Sequence, residues 1–168
     1  KSEWDKVIEW TAKLATSKPA PDQAARGLYQ RGFALFQTEK PKEAAESLAK
    51  VATLQTAPEW KTLAAYLQGQ CHVNLKEYEK AEPALVAALP GLIESDAAEC
   101  QYQLGLTRFL LKKYELALAD FEAYLKQTKP GAQNNKPKKG KKKKQNGQAQ
   151  PGAHVEEAKF YLARCLLE

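Results

Sequence analysis

A Tyr stands three residues before a Gly at three places in this chain: Tyr29 and Gly32, Tyr66 and Gly69, Tyr102 and Gly105. Twelve residues after each Gly comes an Ala, at Ala44, Ala81 and Ala117, and four beyond that an apolar side chain, Leu48, Leu85 or Phe121. The glycines are 37 and 36 residues apart, and the units align without internal gaps. A fixed period of this size marks stacked supersecondary units, not a bundle in which the spacing is accidental.

Each unit has the logic of a helical hairpin. In the first half, apolar residues such as Leu28, Tyr29, Ala34, Leu35 and Phe36 recur along one side of a helix. The polar stretches TEKP, LKEY and LKKY separate the halves and suit antiparallel neighbours. The glycine of the first half and the alanine of the second are expected to meet where the helices cross. Residues 156–168 repeat a first half, with Phe160 in the Tyr place and Ala163 in the Gly place. Near the other end, Trp4, Val7, Ile8, Thr11 and Leu14 recur at helical spacing until KPAP interrupts them. The expected division is therefore a helix over 1–18, a half-repeat or cap; repeats over 25–61, 62–97 and 98–129; an insertion over 130–152; and the first helix of a fourth repeat, or a cap, over 153–168. An unaccompanied first helix and a start at Lys1 lead to the expectation that this is part of a longer chain.

The pattern resembles the tetratricopeptide repeat, whose period of about 34 residues runs aromatic, Leu-Gly, Tyr, Ala, Phe and Pro. The third unit carries it best, with Leu104-Gly105, Tyr114, Ala117, Phe121 and Pro130. The first two depart from it, since Arg31 and Gln68 stand where Leu precedes the Gly and the signature Trp is missing. The resemblance implies an all-α fold, a right-handed α-solenoid of about three hairpins with terminal half-units. It also implies a concave groove lined by the first helix of each unit, where proteins of this family bind peptides. Transferred to this chain, the groove takes Tyr29, Phe33 and Phe36 from the first unit and Tyr66, Gln70, Val73 and Asn74 from the second. Tyr102, Leu106 and Phe109 follow from the third, and Phe160 and Arg164 from the fourth. Such a lining favours an apolar helix or an extended segment with aromatic or aliphatic anchors. It does not favour a bare carboxylate, because Arg26, Asn74 and Arg164 are its few polar candidates.

Charge is unevenly distributed. The formal net charge is +6, but the 129–152 stretch holds eight lysines and no acid, so the rest of the chain is slightly acidic. Residues 130–152, rich in Pro, Gly, Asn, Gln and Lys, read as a disordered insertion that loop-closure entropy tolerates. Lys136, Lys138, Lys139, Lys141, Lys142, Lys143 and Lys144 could contact RNA or another polyanion by counterion release. The same run also resembles a nuclear-import signal.

Enzyme chemistry has little to stand on. Cys71, Cys100 and Cys165 fall in helical stretches and read as buried thiols. Cys71 and His72 diverge by about 100 degrees on a helix and do not chelate together. His154 follows the insertion, and no phosphate cradle or nucleophile elbow is present. No catalytic residue, metal site or cofactor is expected. No apolar run is long enough for a membrane span. The leading function class is a non-catalytic protein–protein adaptor. The alternative is an RNA- or ribonucleoprotein-associated factor that uses the lysine run. The lysines and unpaired cysteines lean toward cytoplasm or nucleus, with a periplasmic setting as a third location.

Overall fold

The computed structural model describes residues 2–128 and 153–167. These form α1 (Glu3–Thr16), α2 (Pro21–Gln37), α3 (Pro41–Ala52), α4 (Pro58–Asn74) and α5 (Tyr78–Ala88), then a 3-10 turn at Leu89–Gly91. There follow α6 (Glu94–Leu110), α7 (Tyr114–Gln127) and α8 (Val155–Cys165). The chain is all-α, built of helical hairpins, and it divides into two compact units, Lys1–Leu92 and Ile93–Glu168. The 130–152 stretch, with its seven candidate lysines, lies outside the described residues.

The sequence explains where helices start and stop. Pro21, Pro41 and Pro58 each open a helix, where a missing N–H costs nothing and φ is already helical. Ser2 and Asp5 form a capping box ahead of α1. The turns inside the three hairpins repeat in detail. Glu39, Lys76 and Lys112 all adopt left-handed backbone at φ 58°, 58° and 60°. The N–H of each following residue, Lys40, Glu77 or Lys113, reaches back to the carbonyl of Leu35, His72 or Arg108. This is the Schellman closure, made here three times without glycine.

A left-handed residue with a Cβ costs about 1–2 kcal/mol, and glycine's extra freedom in the unfolded chain takes back about 0.5–1. Lys76→Gly is therefore expected to stabilise the protein by about 0.5–1 kcal/mol, read as a higher urea midpoint with unchanged slope. A lower midpoint would contradict this account of the turn.

At the helix crossings each glycine lies against a large side chain of the second helix. A Cβ placed on Gly32 would lie 2.6 Å from Leu48; on Gly69, 2.6 Å from Leu85; on Gly105, 2.9 Å from the Phe121 ring. Each glycine thus faces the large residue four positions after the alanine. The reason is volume: a missing side chain leaves a hole, and a leucine or phenylalanine fills it better than a methyl group. Ala44, Ala81 and Ala117 are fully buried elsewhere on the same helices.

In the first unit, α2 packs on α3, α3 on α4, α4 on α5, and α2 also touches α4, while α1 lies on α2. The core joins Ala25, Leu35, Leu48, Val51, Leu67 and Cys71. Asp22 ties the starts of α2 and α4 together by accepting from the Thr56 hydroxyl at 2.5 Å and the Ala57 N–H at 3.0 Å. Those two donors hold its carboxyl below the usual range. In the second unit, α8 packs on α7 and α6 around Ala117, Phe121, Tyr124 and Ala158.

Candidate partner-binding surface

Within the first unit, α2 carries Tyr29, Phe33 and Phe36 of the expected groove and α4 carries Tyr66, Gln70, Val73 and Asn74. Tyr29, Phe33, Phe36, Tyr66, Gln70 and Val73 are half-buried and Asn74 is exposed. The Tyr29 ring lies 6.0 Å from Trp60 at the start of α4 and 6.5 Å from Phe33, which in turn meets Trp4 of α1 edge-on at 5.5 Å. An aromatic row therefore runs Trp4, Phe33, Tyr29, Trp60.

Beside this row an apolar depression of about 430 Å³ opens between α1 and α2, lined by Trp4, Lys6, Val7, Trp10, Tyr29, Gln30 and Phe33. A second of the same volume continues it along Leu14, Gln23, Arg26 and Gly27, sharing Trp10 and Gln30. Trp10 is 57% exposed, an unusual position for the largest apolar side chain. Trp4 and Val7 belong to the stripe of α1 that helical spacing marks in the sequence, and Trp10 does not. The available signal was a tryptophan one position off that stripe.

The second unit treats its groove residues differently. Tyr102 is buried, 6% exposed, with its ring against Phe121, Tyr124 and the imidazole of His154, which stacks on it at 4.3 Å. Its hydroxyl donates to Glu157 at 2.7 Å. Burial, then this carboxylate, raise the phenol well above its ordinary range, so it remains a donor. The same hydrogen bond, followed by that from His154, keeps the Glu157 carboxyl below its usual range. Tyr102 thus serves to hold α8 on α6. Leu106 and Phe109 are half-buried, Arg164 lies over the Phe109 ring at 5.2 Å, and Phe160 is 58% exposed. It is the next residue, Tyr161, that packs inward, on Phe109 at 5.1 Å and on Phe121 at 5.8 Å.

Both histidines have carboxylate partners. His72 Nδ1 lies 2.8 Å from Glu77 across the hairpin turn. His154 Nδ1 is 2.9 Å from Glu157, its Nε2 is 3.7 Å from Glu99, and its backbone N–H donates to the Tyr124 hydroxyl at 3.1 Å. The Glu99 and Tyr124 contacts tie the start of α8 to α6 and α7, while the Glu157 contact is local to α8. Burial pushes the Cys71 and Cys100 thiols up to about 12, which keeps both protonated and poorly nucleophilic at neutral pH. Among the described residues, no group of three or more His, Cys, Asp or Glu is placed to hold a metal ion, and no helix is long and apolar enough to cross a membrane.

Solved structures share this architecture. The MamA RS-1 ArsTM double mutant superposes with a TM-score of 0.63 at 22% identity, over 74% of this chain and 65% of its own. MamA from residue 41 to its end, from Desulfovibrio magneticus RS-1, superposes with a TM-score of 0.53 at 16% identity, over 99% of this chain and 95% of its own. The chain thus spans about two thirds of the first protein's length, and the likeness is one of fold, a helical repeat of tetratricopeptide type. Comparison with protein-family models finds no match, and comparison with curated proteins finds none either.

Proposed function

We propose that this chain is a non-catalytic interaction module that holds an apolar segment of a partner protein on the aromatic surface of its hairpins. The observation that carries the reading is the depression between α1 and α2, where Trp10 stands exposed beside Trp4, Val7, Tyr29 and Phe33. Rings of this kind offer large, rigid contact area at low entropic cost and are enriched in binding hot spots. Non-catalytic action is supported by how the candidate nucleophiles and bases are used: the thiols are buried and protonated, and the imidazoles are paired with carboxylates, His72 with Glu77 across the α4–α5 turn and His154 with Glu157 at the start of α8.

Peptides selected from a random displayed library against the whole chain supply the test. Selected sequences are expected to be rich in Phe, Leu, Tyr and Trp. Trp10→Ser should weaken their binding by about 30-fold, as for a hot-spot tryptophan worth about 2 kcal/mol, with the far-ultraviolet helical signal unchanged. Binding that survives both Trp10→Ser and Tyr66→Ser would remove this surface from consideration.

A further inference from the structure

The start of α8 is tied to both α6 and α7, and His154, the residue just before the helix, stands where the ties meet. Its backbone N–H donates to the Tyr124 hydroxyl of α7 at 3.1 Å, and its ring stacks on Tyr102 of α6 at 4.3 Å, 4° from parallel. One ring nitrogen, Nδ1, lies 2.9 Å from Glu157 of α8, and the other, Nε2, lies 3.7 Å from Glu99 of α6. The imidazole thus sits between two carboxylates on different helices.

A neutral imidazole carries one N–H and one lone pair, so it serves one carboxylate as donor and turns its lone pair toward the other. The imidazolium serves both. Glu99 gives this its weight, because its side chain is only 16% exposed and, among the described residues, its other partner is the neutral amide of Gln103 at 3.0 Å. A carboxylate so far removed from water needs a positive charge beside it. Among the described residues, the titratable groups that meet His154 are Glu99 and Tyr102 of α6, Tyr124 of α7 and Glu157 of α8, and none of these supplies one. The lysine of α8, Lys159, is paired with Glu156 at 2.8 Å. Glu156 and Glu157 also stand in the first turn of α8, where they offset the positive helix start that would oppose a cation at this position.

We infer that His154 is a proton-operated clasp: its protonation tightens the docking of α8 on α6 and α7, and its deprotonation loosens it. The direction follows from the contacts that docking creates. Glu157 is three residues away in the same helix and stays beside His154 when α8 is released, whereas Glu99 and the Tyr102 ring do not. Docking therefore adds a carboxylate partner that the protonated ring can use and the neutral ring cannot. By linkage, docking strengthens as pH falls through the histidine range, from about 8 to about 5.5, and weakens as pH rises through it. Below about pH 5 glutamates in general begin to protonate, and the gain ends. Tyr161 of α8 packs on Phe109 and Phe121 at 5.1 and 5.8 Å, so the clasp governs when those rings are covered. It lies in the second unit and does not involve the α1–α2 surface.

Amide hydrogen exchange of the whole labelled chain, read residue by residue and corrected for the intrinsic rate at each pH, tests the clasp. Protection of the α8 amides of Phe160 and Leu162 is expected to be about fivefold higher at about pH 5.5 than at about pH 8, with little change in α6 and α7. His154→Gln, which keeps a polar side chain but does not titrate, should abolish the difference. Glu99→Gln should remove most of it. His72 lies in the first unit and does not enter the α8 readout.

Protection in α8 that is equal at the two pH values, or greater at the higher one, would overturn the clasp. So would a pH difference that persists in His154→Gln or is undiminished in Glu99→Gln. An equal rise across α6, α7 and α8 would make His154 a stabiliser of the whole second unit and overturn its specific hold on α8.

Discussion

Phe121→Ala is expected to lower the stability of the second unit by about 3–5 kcal/mol, the range for truncating a buried phenylalanine. Phe121 is fully buried in α7, its ring occupies the hole above Gly105, and it lies 6.1 Å from Tyr102 and 5.8 Å from Tyr161. The truncation removes the knob that joins α6 to α7 and one ring of the stack that holds α8. The walls are helices anchored by Ala117 and Tyr124 and cannot collapse far. A urea titration followed by circular dichroism reads the loss, and a change below about 1 kcal/mol would mean the site repacks freely.

Asp120→Ala is expected to cost about as much, for a different reason. Asp120 is 4% exposed and accepts from Arg108 Nη1 on both oxygens, at 3.0 and 2.9 Å, and from Gln101 Nε2 at 2.6 Å. Removing the carboxylate strips its two bonds from a guanidinium only 16% exposed and leaves a buried amide without this acceptor. Breaking a buried pair from one side costs about 3–5 kcal/mol, whereas replacing both partners by apolar residues of similar size is often near neutral. The double change Arg108→Met with Asp120→Leu should therefore recover the part of the loss that comes from the stranded guanidinium, with the Gln101 amide still lacking this acceptor. If Asp120→Ala is mild, or the double variant is worse than the single, the pair is not what organises the α6–α7 contact.

Much of the fold was legible because helical repeats announce themselves twice. The 37- and 36-residue spacing of glycines located the hairpins, and the polar turns between them located the reversals. Spacing alone could not tell that a large side chain lies over each glycine; the volume of Leu48, Leu85 and Phe121 decides it. The left-handed residues Glu39, Lys76 and Lys112 share the same period, but none is a glycine or asparagine, so nothing in their identity marked them.

The candidate surface was legible only in part. Tyr29 and Phe33 could be placed on one face from helical spacing. That Tyr102 would be held under His154 and Glu157 depended on contacts 52 and 55 residues away in sequence, which periodicity does not report. The depression between α1 and α2 needed both helices in place before Trp10 could be seen to border it.

The most direct measurement is a nitrogen–proton correlation spectrum of the labelled chain during titration with a library-selected peptide. Helical hairpins that bind through the α1–α2 surface should show the indole N–H signals of Trp4 and Trp10 and the side-chain amide of Gln30 moving together, with smaller changes at the indole of Trp60. Signals of Trp4, Trp10 and Gln30 that stay still while those of Phe160 and Tyr161 shift would place binding on α8 and contradict it.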